Sequence, residues 1–95
     1  MCARPILKEK KIIFHPKILP SAVICDPNLT KSMPQHITAG TGLDALAHCI
    51  EAFCSPAFHP MSQGIALEGI KLVKDNLLRV YQDGSDIFAR SRMMS

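Results

Sequence analysis

Apolar side chains recur through the second half of the chain at helical spacing. Ile37 is followed by Leu43, Leu46, Ala47 and Ile50, and the last four stand three or four residues apart in pairs, a spacing that gathers side chains on one side of an α-helix. The spacing predicts a helix from about Met33 to Phe53. Ser32 and Gln35 stand at capping-box distance with Ser32 as N-cap, and Pro34 is tolerated because a first-turn N–H has no intrahelical partner. Gly40 and Gly42 sit inside this segment, each at a cost of roughly 0.5–1 kcal/mol relative to alanine. Glycines there imply that another helix or a ligand approaches the backbone. Ser55-Pro56 ends the segment. A second helix is expected from about His59-Pro60 to Tyr81. Its apolar residues, from Ile65 and Ala66 to Leu78 and Val80, cover more than one face, which predicts packing on two sides. Asp83-Gly84 closes it, with Gly84 suited to a left-handed C-terminal position, and Ser85 caps a third helix that starts at Asp86.

Ahead of Ser32 the pattern differs. Lys11-Ile12-Ile13-Phe14 is rich in β-branched and aromatic side chains and reads as a short strand. Ala22-Val23-Ile24-Cys25 is apolar without alternation, the mark of a strand buried on both faces, and Asp26-Pro27-Asn28 stops it. Two strands alone are marginal in water and need a larger sheet. The third helix is still in pattern at Ser95. Both features lead us to expect a piece of a larger protein. The fold class expected is mainly α: part of a helical bundle, preceded by two short β-strands from the end of an α/β domain.

One constellation could carry chemistry. Asp44 and His48 are four residues apart, so one helical turn presents both on the same side, with Glu51 a turn further on. A carboxylate oxygen and an imidazole nitrogen held this way can take adjacent positions on a divalent metal. The same spacing also makes an ordinary ion pair. Gly40, Gly42, Ala45 and Ala47 leave room around it. His36 stands eight residues before Asp44, about 12 Å along a helix axis, too far to share an ion. His15 and His59 fall in connecting segments, so this spacing offers two ligands and no more.

Composition restricts the class further. Of 95 residues 47% are hydrophobic and 20% charged, which excludes a disordered or collagen-like chain. Apolar runs stop at three or four residues, whereas a membrane span needs about 20 and a secretory leader about 7–15; a soluble, cytoplasmic protein without membrane partners is expected. The net charge of +3 gathers in residues 1–17, where five basic side chains face only Glu9. Without interleaved aromatics this reads as a solvated segment and not a nucleic-acid surface. The four cysteines show no C-x-x-C spacing and are expected to be buried free thiols.

The run Asp26-Pro-Asn-Leu-Thr30, Met33-Pro34, Thr38-Ala-Gly-Thr-Gly-Leu-Asp-Ala-Leu-Ala-His-Cys-Ile-Glu-Ala52, His59-Pro60, Ala66-Leu-Glu-Gly-Ile-Lys-Leu72, Asp83-Gly-Ser-Asp86 and Ala89-Arg90 resembles the iron-dependent (group III) alcohol dehydrogenases. The likeness spans roughly residues 10–95 in consistent order, and its T-G-x-D-A-x-x-H-x-x-E core is specific. Residues 1–9 do not follow the family pattern. The glycerol dehydrogenase branch shares the architecture, but its wording fits less well.

The resemblance implies an α/β domain that binds NAD(P), a helical domain that holds the metal, and an active site in the cleft between them. Residues 1–31 would then be the tail of the nucleotide-binding domain and residues 32–95 the start of the metal-binding domain. Iron(II), or zinc in some members, is held by one Asp and three His. Asp44 and His48 match the first two ligands, while two further histidines and the glycine-rich pyrophosphate loop are expected outside residues 1–95. Lys10 matches a lysine that approaches the cofactor, and Leu29 lies in a loop near the nicotinamide. Glu51 is expected to orient His48 or to make a structural contact and not to act as a base, and no catalytic residue is assigned. The expected partners are a small alcohol or aldehyde and a second copy of the chain, with no nucleic acid. The competing expectation is a truncated, inactive helical module.

Overall fold

The computed structural model describes residues 15–95, together with the backbone of two strands, β1 (Cys2–Arg4) and β2 (Glu9–Lys11). These pair antiparallel with Ala3 opposite Lys10. Of the strand expected over 11–14, Lys11 closes β2 and the remaining three residues lie outside the described ones. Short 3-10 turns follow at Pro16–Ile18 and Pro27–Thr30, each capped by the side chain before it: His15 Nδ1 accepts from the Lys17 amide and Asp26 Oδ1 from the Asn28 amide.

The strand expected at Ala22–Cys25 does not form. The segment is irregular, and Ile24 is 91% exposed. Among the described residues the sheet holds only β1 and β2, so this run has no backbone partner to satisfy its N–H and C=O groups. Cys25 is therefore an exposed thiol, as is Cys54, while Cys49 is half-buried; the expectation of buried thiols fails for the first two.

Three helices make up the rest: α1 (Gln35–Phe53), α2 (Pro60–Gln82) and α3 (Ile87–Met94). The predicted capping box at the start of α1 is not made. Pro34 occupies the N-cap without a side-chain hydrogen bond, and Gln35 instead donates from Nε2 to the Tyr81 carbonyl at the end of α2, 3.0 Å away. A tertiary bond has displaced a local one. α2 starts at the His-Pro pair as expected, and His59 caps it, its Nδ1 accepting from the Ser62 amide. None of the described helices is long and apolar enough to cross a membrane.

α1 and α2 form an antiparallel hairpin whose contacts advance along one helix as they retreat along the other: Gln35 with Tyr81, Gly42 with Leu77, Cys49 with Gly69. Two glycines set the separation. A Cβ on Gly42 would overlap Leu77 Cδ1, and one on Gly69 would stand 2.6 Å from Cys49 Sγ. Gly40 has open space around it, so only one of the two glycines of α1 marks a close approach. The buried stripe on α2 is Ala66, Val73 and Val80, seven residues apart, and Ala89 of α3 closes it. Asn76 joins that stripe by donating from Nδ2 to the Leu72 carbonyl, 2.8 Å away.

The two-sided burial expected of α2 is only partly met. Ile65 and Leu78 remain exposed, as do Ile37, Leu43 and Ile50 on α1, where the buried positions are Thr38 and Gly42. Large side chains thus face outward while small ones fill the interface. The radius of gyration is 15.1 Å, against about 12 Å for a compact chain of this length.

The α2–α3 corner is made of polar side chains. Asp83 ends α2 in an extended conformation and accepts from both the hydroxyl and the amide of Ser85. Gly84 is not left-handed. Asp86, one residue beyond the expected Ser85, caps α3 through the Ala89 amide and takes the Arg79 guanidinium at 2.7 Å. The Ala89 N–H holds the Asp86 carboxyl below the usual carboxylate range, with Arg79 acting in the same direction against desolvation. The Ser85 hydroxyl and amide lower Asp83 likewise.

Two outcomes follow. Gly42→Ala should destabilise the fold by about 1–2 kcal/mol because Leu77 has to shift, whereas Gly40→Ala should stabilise it by about 0.5–1 kcal/mol; denaturant midpoints moving the same way for both would contradict this packing. Lowered carboxyl groups stabilise the fold above their unfolded values and lose that contribution as pH falls through the folded ones. NMR titration should therefore find Asp86 titrating below an unstructured aspartate, with the α2–α3 corner loosening only under acid conditions; a midpoint at or above the free value would remove the cap from the account.

Candidate metal centre

Asp44 and His48 lie on α1, in its middle turns, where the backbone is regular and both side chains point the same way. His48 Nδ1 is 2.8 Å from the Asp44 carbonyl oxygen and 3.6 Å from Asp44 Oδ2. A carbonyl oxygen can only accept, so the short contact requires the proton on Nδ1. In the neutral ring this leaves the Nε2 lone pair free, the arrangement in which a histidine ligates a metal through one nitrogen while the other anchors to the protein. The ring is thus oriented by the backbone of Asp44, not by Glu51.

Both side chains are open to solvent, 72% exposed for His48 and 73% for Asp44. The donor chemistry suits a divalent ion of the iron or zinc type: one anionic oxygen and one imidazole nitrogen on a single turn. Two protein donors are half of what a closed tetrahedral site uses. Among the described residues no group of three or more His, Cys, Asp or Glu side chains is placed to hold a metal.

His48 borders a cavity of about 610 Å³ between α1, the start of α2 and the end of α3. Its wall includes Ala45, Cys49, Ala52, Glu68 and, unexpectedly, His59. The separation of His48 and His59 in sequence hid that both border one cavity. The signal was available in the short turn between two helices, which must bring the end of the first beside the start of the second. Asp44 stands outside that wall.

Of the two cofactor candidates, Lys10 lies in β2, and its side chain is outside the described residues. Leu29 sits in the Pro27–Thr30 turn, which packs on α3, and is 78% exposed; it is neither a core leucine nor part of the His48 cavity.

A helical module carrying an aspartate–histidine pair on one exposed turn is the class these features define. The C-terminal model of the Fe-containing alcohol dehydrogenase family matches residues 38–95. The chain belongs to that family. It is 47% identical over 87 residues to 4-hydroxybutyrate dehydrogenase of Cupriavidus necator and 43% identical over 89 residues to alcohol dehydrogenase 4 of Saccharomyces cerevisiae. It is 36% identical over 86 residues to NAD-dependent methanol dehydrogenase of Bacillus methanolicus. In each case the match covers 90% of this chain and 23% of the relative, so the chain spans about a quarter of the length of these curated relatives. No solved structure matches it significantly.

Proposed function

We propose that this chain is part of a metal-dependent, NAD(P)-linked alcohol dehydrogenase and that Asp44 and His48 are two of its metal ligands. The observation that carries the reading is the His48 ring, anchored through Nδ1 with Nε2 free, one turn from a carboxylate. When bound, a divalent ion supplies Lewis-acid polarisation of an alcohol or carbonyl oxygen, and a nicotinamide exchanges hydride with the adjacent carbon. Asp44 contributes the negative charge, and His48 contributes a neutral nitrogen whose direction its own helix fixes. Ala45 and Ala52, small and beside the cavity, leave space for substrate. The names of the relatives, which include an NAD-dependent methanol dehydrogenase, support a small alcohol or aldehyde as the substrate class.

Residues 1–31 belong, in this reading, to the tail of a nucleotide-binding domain, where Lys10 and Leu29 would meet the cofactor. Residues 32–95 begin the metal-binding domain. Iron(II) or zinc would complete its coordination with donors outside the described residues, and the 95-residue chain alone would be inactive. The exposed Ile65, Leu78, Leu43 and Ile50 support self-association.

Calorimetric titration of the chain with Fe(II) and Zn(II) tests this. Binding should be weaker than about 1 mM, since two donors alone are an incomplete site, and should vanish in Asp44→Ala and His48→Ala. Metal binding unchanged by either substitution would refute the ligand assignment. NADH-dependent aldehyde reduction by the same sample should be nil, and turnover would refute the view that the site is incomplete.

A further inference from the structure

One imidazole nitrogen closes the start of α2. His59 is extended, with φ −141° and ψ 90°, and its Nδ1 accepts from the Ser62 amide at 3.2 Å. Pro60 follows at the first helical position, where it has no N–H to offer. The Gln63 amide donates to the His59 carbonyl at 3.0 Å, a bond that does not involve the ring. His15-Pro16 repeats the arrangement, with His15 Nδ1 accepting from the Lys17 amide at 3.2 Å. In both places a histidine stands where Ser, Thr, Asp or Asn is the usual cap. Asp26 and Asp86 fill that role elsewhere in the chain.

The difference matters because an imidazole changes role when it takes up a proton. A ring nitrogen that accepts from an N–H must itself be unprotonated. In the imidazolium both nitrogens are donors, so Nδ1 and the Ser62 N–H would oppose each other. The new positive charge would also stand at the positive end of the α2 dipole. Both effects act against the cap. An aspartate cap fails only when its carboxylate is protonated, and Asp86 is held below the usual carboxylate range by the Ala89 amide and Arg79. α2 therefore starts at a cap that mild acid opposes and ends at a corner that stronger acid is needed to loosen.

The titratable and charged groups that border the same cavity as His59 are His48 and Cys49 of α1, Glu68 of α2, Arg92 of α3 and the chain end at Ser95. The smaller hollow beside His59, lined by Ser55, Ser62 and Gln63, adds no charge. Among the described residues none of these groups makes an ion pair with the His59 ring, and the Ser62 amide is its hydrogen-bond partner.

We propose that the His59–Ser62 hydrogen bond is a proton-operated latch, and that protonation of His59 frees the first turn of α2. That turn carries His59, Met61 and Ser62, which form part of the wall of the cavity that His48 borders. Opening the latch loosens that wall. The inference rests on the cap and is independent of the dehydrogenase reading.

His59→Asn supplies a cap that does not titrate, and His59→Ala supplies none. Folding constants of the 95-residue chain and of both variants are measured by denaturant titration between about pH 8 and about pH 5.5, the range in which imidazoles change charge. The ratio of the wild-type constant to that of His59→Asn cancels the other titrating groups and should fall about fivefold towards the lower pH. The ratio to His59→Ala should be about five at the higher pH and fall to one or below. In the wild type the Ser62 amide resonance should move with the same midpoint as the His59 ring; where a variant does not fold, this titration decides alone. A wild-type to His59→Asn ratio that does not change with pH overturns the proposal, as does a Ser62 amide that stays fixed while the His59 ring titrates.

Discussion

The close approach of α1 and α2 governs the rest of the molecule. It is made where a helix lacks a side chain: Leu77 fills the space over Gly42, and Cys49 fills the space over Gly69. Two such steps, one donated by each helix, fix both the distance and the register of the hairpin. The core that results is thin, built from Ala66, Val73, Val80 and Ala89. Burial of small side chains removes little apolar area from water, so close backbone packing and the polar corner at Asp83–Asp86 share the work with the hydrophobic effect.

That register also determines what each side of α1 meets. One side carries Thr38 and Gly42 inward, towards Val80 of α2 and Arg90 of α3. Another presents Asp44 and His48 to solvent, with His48 at the edge of a cavity to which the start of α2 contributes His59. Rigidity is the common requirement. The proposed ligand pair is useful only if its turn does not move, and the His48 ring is held by its own helix backbone.

The helices were largely legible in the sequence because their signals are local. Three-to-four-residue periodicity located α1 and α2 to within two residues, and His59-Pro60 marked a start that the structure retains. The family run around Thr41–Glu51 was equally plain, and residues 38–95 match the family model. Failures came where a distant partner decides. Ala22–Cys25 had strand chemistry but no neighbouring strand among the described residues. Gln35 had capping-box spacing but found the Tyr81 carbonyl more accessible than its own helix start. Gly40 and Gly42 are indistinguishable in sequence, and only the position of Leu77 separates them. The burial of Arg90 left no trace in composition or spacing, since a basic residue in the first turn of a short helix reads as surface.

If the Asp44–His48 turn is the part of this chain that meets a metal, a paramagnetic ion should find it even when binding is weak. Adding substoichiometric Co(II) and recording the side-chain NMR spectrum distinguishes the histidines directly. Selective broadening of the His48 ring and the Asp44 carboxyl, with His15 and His36 sharp, is the result expected. Broadening of all the histidines alike, or of His15 and His36 ahead of His48, would contradict it.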